Sequence, residues 1–304
     1  MSDLSVNICG VNFNNPLIAA SGTFGFGREF SEFYPLEKIG GISCKGITLK
    51  ERFGNLPPRI AETEGGILNA VGLQNPGVDH FIEHDLPWLK EQNTVIIANI
   101  AGNTVEDYCA MAEKLSDTDV DFVELNISCP NVKSGGVQFG TSCESVGNIT
   151  SEVKKHCKKP LMVKLSPNVT DIAEIAKSAE FYGADVISMI NTLTGMRIDI
   201  NSKRPIIRNN TGGMSGPAVF PVAVRMVWQV YNAVKIPIIG MGGISKWQDA
   251  VEMLMAGASA LQIGTVLFND PYAPIKINEG LEKFMEDNNI SSISELTGSV
   301  IPWE

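Results

Sequence analysis

Short apolar runs rich in β-branched residues recur along this chain and alternate with segments of helical periodicity. Such runs favour buried strands, and their alternation with helices is typical of a parallel sheet. The pattern predicts strands at Pro16 to Ala20, Gly40 to Cys44, Thr94 to Ala98, Phe122 to Leu125, Leu161 to Leu165, Val186 to Ile190, Ile236 to Ile239 and Ala260 to Ile263. It predicts helices at Thr104 to Leu115, Ser142 to His156, Thr170 to Tyr182, Pro217 to Val234 and Ser245 to Ala256, with helix starts marked by Thr104 and Thr170.

The regular succession of strands and helices favours an α/β fold, a (β/α)8 TIM barrel. A doubly wound open sheet is the alternative arrangement. Neither a repeat nor a low-complexity linker divides the sequence, so we expect one domain over residues 1–304. The segment Lys45 to Gln74 breaks the rhythm, because it is rich in glycine, proline and charge and too long for a simple connection. We expect it to form an elaborated active-site loop.

Composition narrows the class of ligand. Hydrophobic residues make up 44% of the chain and charged residues 19%, which excludes a disordered protein. The 24 lysine and arginine residues against 34 aspartate and glutamate residues leave a formal net charge of −10, so we expect a small-molecule ligand and no nucleic acid.

The start MSDLSVNICG lacks the features of a signal peptide and no apolar run reaches about 18 residues, so we expect a cytoplasmic protein without a membrane partner. Six cysteines without C-x-x-C spacing are expected to be reduced thiols.

The residues that end the predicted strands are unusually polar. In a (β/α)8 barrel the functional groups gather at these strand ends, although asparagine, glycine and serine also occur there as simple turn residues. Two lysines directly after apolar runs are harder to explain as turns, since a buried ammonium group needs an anionic or carbonyl-rich partner. The pattern therefore indicates a charged, polar ligand bound by Ser21, Lys45, Asn99, Asn126, Lys164, Asn191, Thr192, Gly242, Gly243, Gly264 and Thr265.

The last two strand ends, GMGGIS and QIGT, are glycine-bearing turns. Glycine lets backbone N–H groups approach a phosphate closely, and phosphate sites are common after strands seven and eight of such barrels. These turns predict a phosphate site but do not separate flavin mononucleotide from a phosphosugar.

Cys129 lies in the segment NISCPNVKSGGVQFG, directly after a predicted strand. A thiol whose thiolate is stabilised can abstract a proton, whereas most free thiols are inert and buried. Both interpretations stay open from spacing alone. We expect the stretch Pro130 to Gly140 to close over the substrate, because its glycines permit hinge motion.

The order H-x-x-E-H at His80 to His84 matches an inverted zinc-peptidase motif. So short a pattern occurs readily by chance, and its neighbours Pro76 and Pro87 indicate a short peripheral helix. We expect no metal site here. The chain also lacks a complete Walker A motif and a G-x-G-x-x-G fingerprint.

The motifs NISCPN, SCKGIT, GNLPPR, LNAVGLQNPG, MVKLSP, INT, GGMSGPA, MGGI and QIGT occur in the order found in one family. On these motifs the chain resembles the catalytic subunit of dihydroorotate dehydrogenase of the class 1 type B branch, over nearly its whole length. The resemblance implies an FMN-containing (β/α)8 barrel that oxidises dihydroorotate to orotate in pyrimidine biosynthesis.

The resemblance also implies a role for individual residues. Cys129 is similar to the family's catalytic base, and Lys164 is expected to stabilise negative charge on the reduced flavin. FMN is expected to contact Ser21, Lys45, Gly46, Asn99, Asn126, Lys164, Ile190, Gly216, Gly242, Gly243, Gly264 and Thr265, the last four at its phosphate. Orotate is expected to contact Lys45, Asn69, Ala70, Val71, Gly72, Leu73, Asn126, Asn191 and Thr192.

Type B enzymes pair with a second subunit that carries FAD and a 2Fe-2S cluster and passes electrons to NAD. The resemblance therefore implies such a partner, in a heterotetramer built on a homodimer of this chain. Three alternatives remain from sequence: a fumarate-dependent type A enzyme, a phosphosugar isomerase or lyase on the same barrel, and a non-catalytic subunit with a degenerate site.

Overall fold

Eight parallel strands form a closed barrel in a computed structural model that describes residues 3–127 and 139–303. Each strand pairs with its neighbours in chain order, so the (β/α)8 prediction is confirmed and the open sheet is excluded. All eight predicted strands are present. The largest shift is in the seventh, which begins two residues later than predicted and extends to Met241. The strands are β1 (Leu17–Ala19), β2 (Gly41–Ser43), β3 (Val95–Ile100), β4 (Phe122–Asn126), β5 (Leu161–Lys164), β6 (Val186–Met189), β7 (Ile238–Met241) and β8 (Ala260–Ile263).

Six longer helices follow β3 to β8. They are α1 (Val105–Ser116), α2 (Cys143–His156), α3 (Ile172–Phe181), α4 (Phe220–Tyr231), α5 (Trp247–Met255) and α6 (Ala273–Asp287). Thr104 caps α1 as predicted, since its side chain accepts a hydrogen bond from the Asp107 backbone N–H. The prediction for Thr170 is wrong: Asp171 is the residue with extended backbone, and its carboxylate accepts from two backbone N–H groups of α3. The sequence pattern missed α6.

Shorter helical segments complete the connections. Helical turns at Val78–His80, Phe81–Asp85 and Leu86–Lys90 precede β3, and 3-10 turns occur at Phe30–Glu32, Leu36–Lys38, Pro217–Val219, Thr265–Phe268 and Ile293–Glu295. The first turn of the helix predicted from Pro217 is thus a 3-10 turn. No helix within the described ranges is both long and apolar enough to cross a membrane.

The segment predicted as an active-site loop carries two strands, Ile60–Thr63 and Gly66–Asn69. They belong to a four-stranded antiparallel sheet that also contains Gly212–Ser215 and Leu193–Gly195 from the connection after β6. A small hairpin of Ile198–Asp199 and Arg204–Pro205 extends this second connection. The prediction of an elaborated insertion is thus confirmed, but its strands were not predicted, and the strands that complete their sheet are remote in sequence.

The two faces of each barrel strand differ in chemistry. Outward side chains such as Val123 and Leu125 pack in the main apolar cluster with the helices. Inward positions begin apolar, as at Phe122, and become polar toward the carboxyl end, as at Glu124 and Asn126. An N-terminal hairpin, Val6–Ile8 and Val11–Phe13, adds Ile8 and Phe13 to the inner apolar cluster. The barrel interior is thus apolar on the side of the hairpin and polar toward the opposite mouth.

Candidate active site

The carboxyl ends of the barrel strands bring most of the predicted site residues to one mouth, because parallel strands share this edge. Asn99, Asn126 and Lys164 lie on β3, β4 and β5 themselves, and all three are buried. Ser21 and Ile190, just beyond β1 and β6, are buried as well. Cys129 and residues 130–138 of the expected lid lie outside the described residues.

A fully buried carboxylate, which the sequence analysis missed, lies at the centre of this mouth. Glu124 Oε2 accepts hydrogen bonds from Ser43 Oγ at 2.7 Å and from Asn99 Nδ2 at 2.5 Å. Its Oε1 accepts from Gln262 Nε2 at 2.9 Å. The change from apolar to polar at alternate positions of β4, from Phe122 to Glu124, was the sequence signal that could have found it.

Three of the predicted asparagines form a hydrogen-bonded chain above this carboxylate. Asn126 Nδ2 donates to Asn99 Oδ1 at 3.2 Å, and Asn191 Nδ2 donates to Asn126 Oδ1 at 3.4 Å. The Tyr108 hydroxyl donates to the Asn126 backbone carbonyl at 2.8 Å and so holds the end of β4. Asn99 and Asn126, predicted to bind the cofactor, and Asn191, predicted to bind the substrate, are thus parts of one network.

Lys164 contributes a positive charge to the same network. Its Nζ lies 4.0 Å from Glu124 Oε2, and its side chain is 7% exposed. Burial favours the neutral form of Glu124, but the charge of Lys164 and the surrounding hydrogen bonds outweigh it and lower the pKa of this carboxyl below its ordinary value. The ionised form of Glu124 is therefore favoured although this carboxyl is buried.

Gly46 lies in close contact with the side chains of Leu73 and Asn99. A Cβ atom on Gly46 would lie 3.0 Å from Asn99 Oδ1 and 3.1 Å from Leu73 Cδ2. Leu73 belongs to the predicted substrate segment and has a left-handed backbone, with φ of 58°. The structure therefore places the end of that segment against the residues predicted to bind the cofactor.

Asn69 and Thr192 meet at Gly213, in the four-stranded sheet. Asn69 Nδ2 donates to the Gly213 carbonyl at 3.3 Å, and Thr192 fills the space that a side chain on Gly213 would need. The Asn191 side chain accepts from the Thr192 backbone N–H at 2.7 Å, which joins these residues to the asparagine chain. The inserted sheet is thus what delivers Asn69 to the mouth.

The remaining substrate positions, 70–72, lie against Asn55. Asn55 Nδ2 donates to the Ala70 carbonyl at 2.9 Å, and the Asn55 backbone N–H donates to the Val71 carbonyl. A Cβ on Gly72 would lie 2.6 Å from the Asn55 side chain. These contacts hold the backbone of the segment in place, and they show no contact of Ala70, Val71 or Gly72 with the asparagine chain.

The glycine-bearing turns after β7 and β8 both contact residues 215–216. A Cβ atom on Gly243 would lie 2.8 Å from the Gly216 carbonyl oxygen, so the turn after β7 adjoins the start of the turn Pro217–Val219. Thr265, after β8, donates from Oγ1 to Ser215 Oγ at 2.8 Å. Gly216 and Gly243 have φ values of 112° and 80°, which side chains rarely adopt. We call this region of Gly216, Gly243 and Thr265 the cradle; close-packed glycine backbone of this kind is typical of sites that bind anions.

Lys45 is half-buried and faces a cavity of about 410 Å³ beside the mouth. Phe26, Arg28, Arg52 and Phe53 also line this cavity. Lys45 therefore borders this cavity, two residues beyond the carboxyl end of β2.

The H-x-x-E-H segment is engaged in local contacts. His80 Nδ1 lies 3.4 Å from Asp85 Oδ2, and His84 Nε2 lies 3.9 Å from Glu83 Oε2. Arg28 stacks over Trp88 of the following helical turn, 4.5 Å from the ring centre. Within residues 3–127 and 139–303, no group of three or more histidine, cysteine, aspartate or glutamate side chains is placed to hold a metal ion.

The arrangement combines three chemical capacities: an anion cradle of backbone, a buried ammonium group beside a carboxylate, and amides that present both donors and acceptors. The fold and this mouth define a (β/α)8-barrel enzyme with a polar, charged site at the carboxyl ends of its strands. Comparison with known proteins identifies the family of barrel enzymes to which this chain belongs.

The sequence profile described as "Dihydroorotate dehydrogenase" matches residues 3–285. The protein of Petrotoga mobilis named "Dihydroorotate dehydrogenase B (NAD(+)), catalytic subunit" is 53% identical over 300 residues, covering 99% of this chain and all of the relative. Proteins of the same name from Lachnoclostridium phytofermentans and Alkaliphilus metalliredigens are each 56% identical, covering 97% and 98% of this chain and 99% of each relative. This chain belongs to the dihydroorotate dehydrogenase family. The phosphosugar and fumarate-dependent alternatives find no support in these relatives.

Proposed function

We propose that this chain is the catalytic subunit that oxidises dihydroorotate to orotate in pyrimidine biosynthesis, with FMN as the first electron acceptor and NAD as the final one. The proposal rests on one observation: Lys164 and the hydrogen-bonded side chains of Asn99 and Asn126 lie together at the mouth of a barrel of this family. A planar ring with amide groups and a carboxylate needs such a set of fixed donors, acceptors and charge.

The residues at the mouth fit FMN. The cradle has no room for a side chain at Gly243, and backbone N–H groups are the usual ligands of a flavin phosphate. Lys164 supplies the positive charge that an anionic reduced flavin requires. Gly216, Gly242, Gly243, Gly264 and Thr265 would hold the phosphate end, and Ser21, Lys45, Gly46, Asn99, Asn126, Lys164 and Ile190 would hold the rest.

Bound FMN would accept a hydride from one ring carbon of dihydroorotate. Cys129, three residues after the end of β4, is proposed to remove the proton from the neighbouring carbon, next to the ring carbonyl. Asn69, Asn191 and Thr192 are proposed to orient the ring, with Lys45, Asn126 and residues 70–73 completing the substrate site. The chain itself thus supplies the base, the orientation and the charge.

Electrons are proposed to leave through a partner subunit that carries FAD and a 2Fe-2S cluster, since the relatives are named as catalytic subunits of an NAD(+) enzyme. We propose a heterotetramer around a homodimer of this chain, located in the cytoplasm. A cluster of this kind needs grouped thiolates, and the described cysteines Cys9, Cys44, Cys109, Cys143 and Cys157 form no such group.

The proposed function is tested by an anaerobic absorbance spectrum of the chain loaded with FMN, before and after addition of dihydroorotate. We expect the flavin absorbance to bleach, because the chain carries the complete reductive half of the reaction. A flavin that stays oxidised would refute dihydroorotate as the substrate, and failure to bind FMN would refute the cofactor.

The acceptor is tested in the same sample. We expect no NADH from the isolated chain, and NADH in stoichiometric amounts after addition of the FAD-containing subunit. Sustained turnover with fumarate and the isolated chain would contradict the NAD assignment.

Replacing Gly243 with alanine is expected to weaken FMN binding by at least about tenfold. A side chain at this positive φ costs about 1–2 kcal/mol, and relief of the clash with Gly216 and Phe220 requires movement of the cradle. Gly10→Ala is the matched control, because Gly10 has a similar φ of 85° with open space around its Cβ position. Quenching of flavin fluorescence measures both affinities, and equal losses in the two variants would contradict a phosphate role for Gly243.

A further inference from the structure

Glu124 lies in the barrel interior, and the proposed reaction gives it no role. It is 0% exposed, and a buried carboxylate is unfavourable unless it is paired and hydrogen-bonded. Its donors Ser43, Asn99 and Gln262 come from β2, β3 and β8. Since β8 lies four strands from β4 around the closed barrel, the carboxylate spans the barrel axis.

The charges around this carboxylate are few and specific. In register, Lys164 pairs with Asn126 on β4 and with Ser188 on β6, both uncharged, and its Nζ lies 4.0 Å from Glu124 Oε2. Lys45, after β2, is the other cation predicted at the mouth. The ionised Glu124 and Lys164 together form a neutral pair, so the interior carries the lysine charge without a net charge.

The carboxylate also determines how the asparagine amides are oriented. The chain of hydrogen bonds starts at the Thr192 backbone N–H, which can only donate, and ends at Glu124, which when ionised can only accept. Asn191, Asn126 and Asn99 must therefore each direct their amide nitrogen toward the next residue in the chain. The acceptor at one end fixes which atoms each amide presents to a ligand.

We propose that Glu124 is a positioning residue for flavin reduction, which holds Lys164 as an ammonium ion at the mouth and orients Asn99. This inference rests on the proposed function in one respect: it takes the flavin as the group whose negative charge Lys164 stabilises. Glu124 itself acts through its two neighbours, because its oxygens are already occupied by protein donors.

The variant Glu124→Gln tests the negative charge of Glu124 separately from its hydrogen bonds. A glutamine oxygen can accept from Ser43 and Asn99, and its nitrogen can donate to Gln262 Oε1, which has no hydrogen-bond partner among the described residues. The variant therefore keeps the hydrogen bonds once the Gln262 amide has rotated, and it removes the counter-charge of Lys164. A buried ammonium group without a counter-charge releases its proton and regains it when a negative charge forms nearby.

The test measures the flavin midpoint potential against pH, by reduction with a chemical reductant in the presence of reference dyes. We expect the Glu124→Gln variant to take up one more proton per reduced flavin than the parent across neutral pH. Ser43→Ala is the matched control, because it removes one hydrogen bond to the same oxygen and keeps the charge, and it should retain the parent slope. A parent slope in Glu124→Gln would overturn the proposal. Chemical reduction makes this result independent of whether dihydroorotate is the substrate.

Urea unfolding of the chain without FMN supplies a second readout. We expect Glu124→Gln to be less stable than the parent, and the double variant Glu124→Gln with Lys164→Met to recover stability, because the loss comes from burying Lys164 without a counter-charge, whether it keeps its proton or releases it. The recovery of stability in the double variant can be measured even if Glu124→Gln alone does not fold. A double variant as unstable as Glu124→Gln would show that Glu124 only supports the barrel by hydrogen bonding, and would overturn the proposal.

Discussion

Replacing Lys164 with methionine is expected to slow reduction of the flavin by dihydroorotate by about 10²–10³-fold, the loss typical when one group that stabilises developing charge is removed. Methionine keeps most of the apolar stem, so packing within the barrel is largely retained. The rate is measured by stopped-flow bleaching of the flavin absorbance with saturating dihydroorotate.

The stability of this variant needs a separate measurement, because the change leaves the buried Glu124 carboxylate without its cation. Breaking a buried ion pair can cost about 3–5 kcal/mol, and the hydrogen bonds from Ser43, Asn99 and Gln262 remain to reduce this cost. Lys177→Met, at an exposed lysine paired with Glu174, is the control and should keep the parent rate. Reduction of the Lys164→Met flavin at the parent rate would refute the electrostatic role.

Replacing Cys129 with alanine is expected to lower the rate of flavin reduction by about 10²–10⁴-fold, the usual contribution of a general base. Binding of FMN should persist, because we assign FMN binding to the cradle and Lys164 and proton removal to this thiol. Stopped-flow bleaching gives the rate, and flavin fluorescence gives the affinity.

Cys143→Ala is the matched control for the thiol. Cys143 is exposed at the first turn of α2, so its removal should leave the rate unchanged. Parent-like reduction in Cys129→Ala would remove the thiol from the mechanism, and loss of FMN binding in the same variant would point to a structural role instead.

The barrel strands were predictable because each is a short apolar run that is buried on at least one face. Local pattern carries this information: Leu161–Lys164 and Ala260–Ile263 end where polar or glycine residues begin. Helix ends were less predictable. Thr170 and Asp171 are both good cap residues, and only the backbone conformation selects Asp171.

The four-stranded sheet was not predictable from local pattern. Gly66–Asn69 pairs with Gly212–Ser215, which lies far along the chain and contains two consecutive glycines that weaken any strand signal. A pairing of this kind depends on the closure of the barrel, which brings the connections after β2 and β6 to the same mouth.

The sequence by itself determined the eight-stranded barrel and the polar character of its mouth, because strand periodicity and the chemistry of strand ends are local properties. It indicated Lys164, the asparagines and the glycine turns on the same grounds. Only the tertiary structure decided that Glu124 holds Lys164 and Asn99, and that the inserted sheet brings Asn69 beside Thr192. These relations join side chains from neighbouring barrel strands and from two connections that are remote in sequence, and no local pattern of residues specifies such contacts.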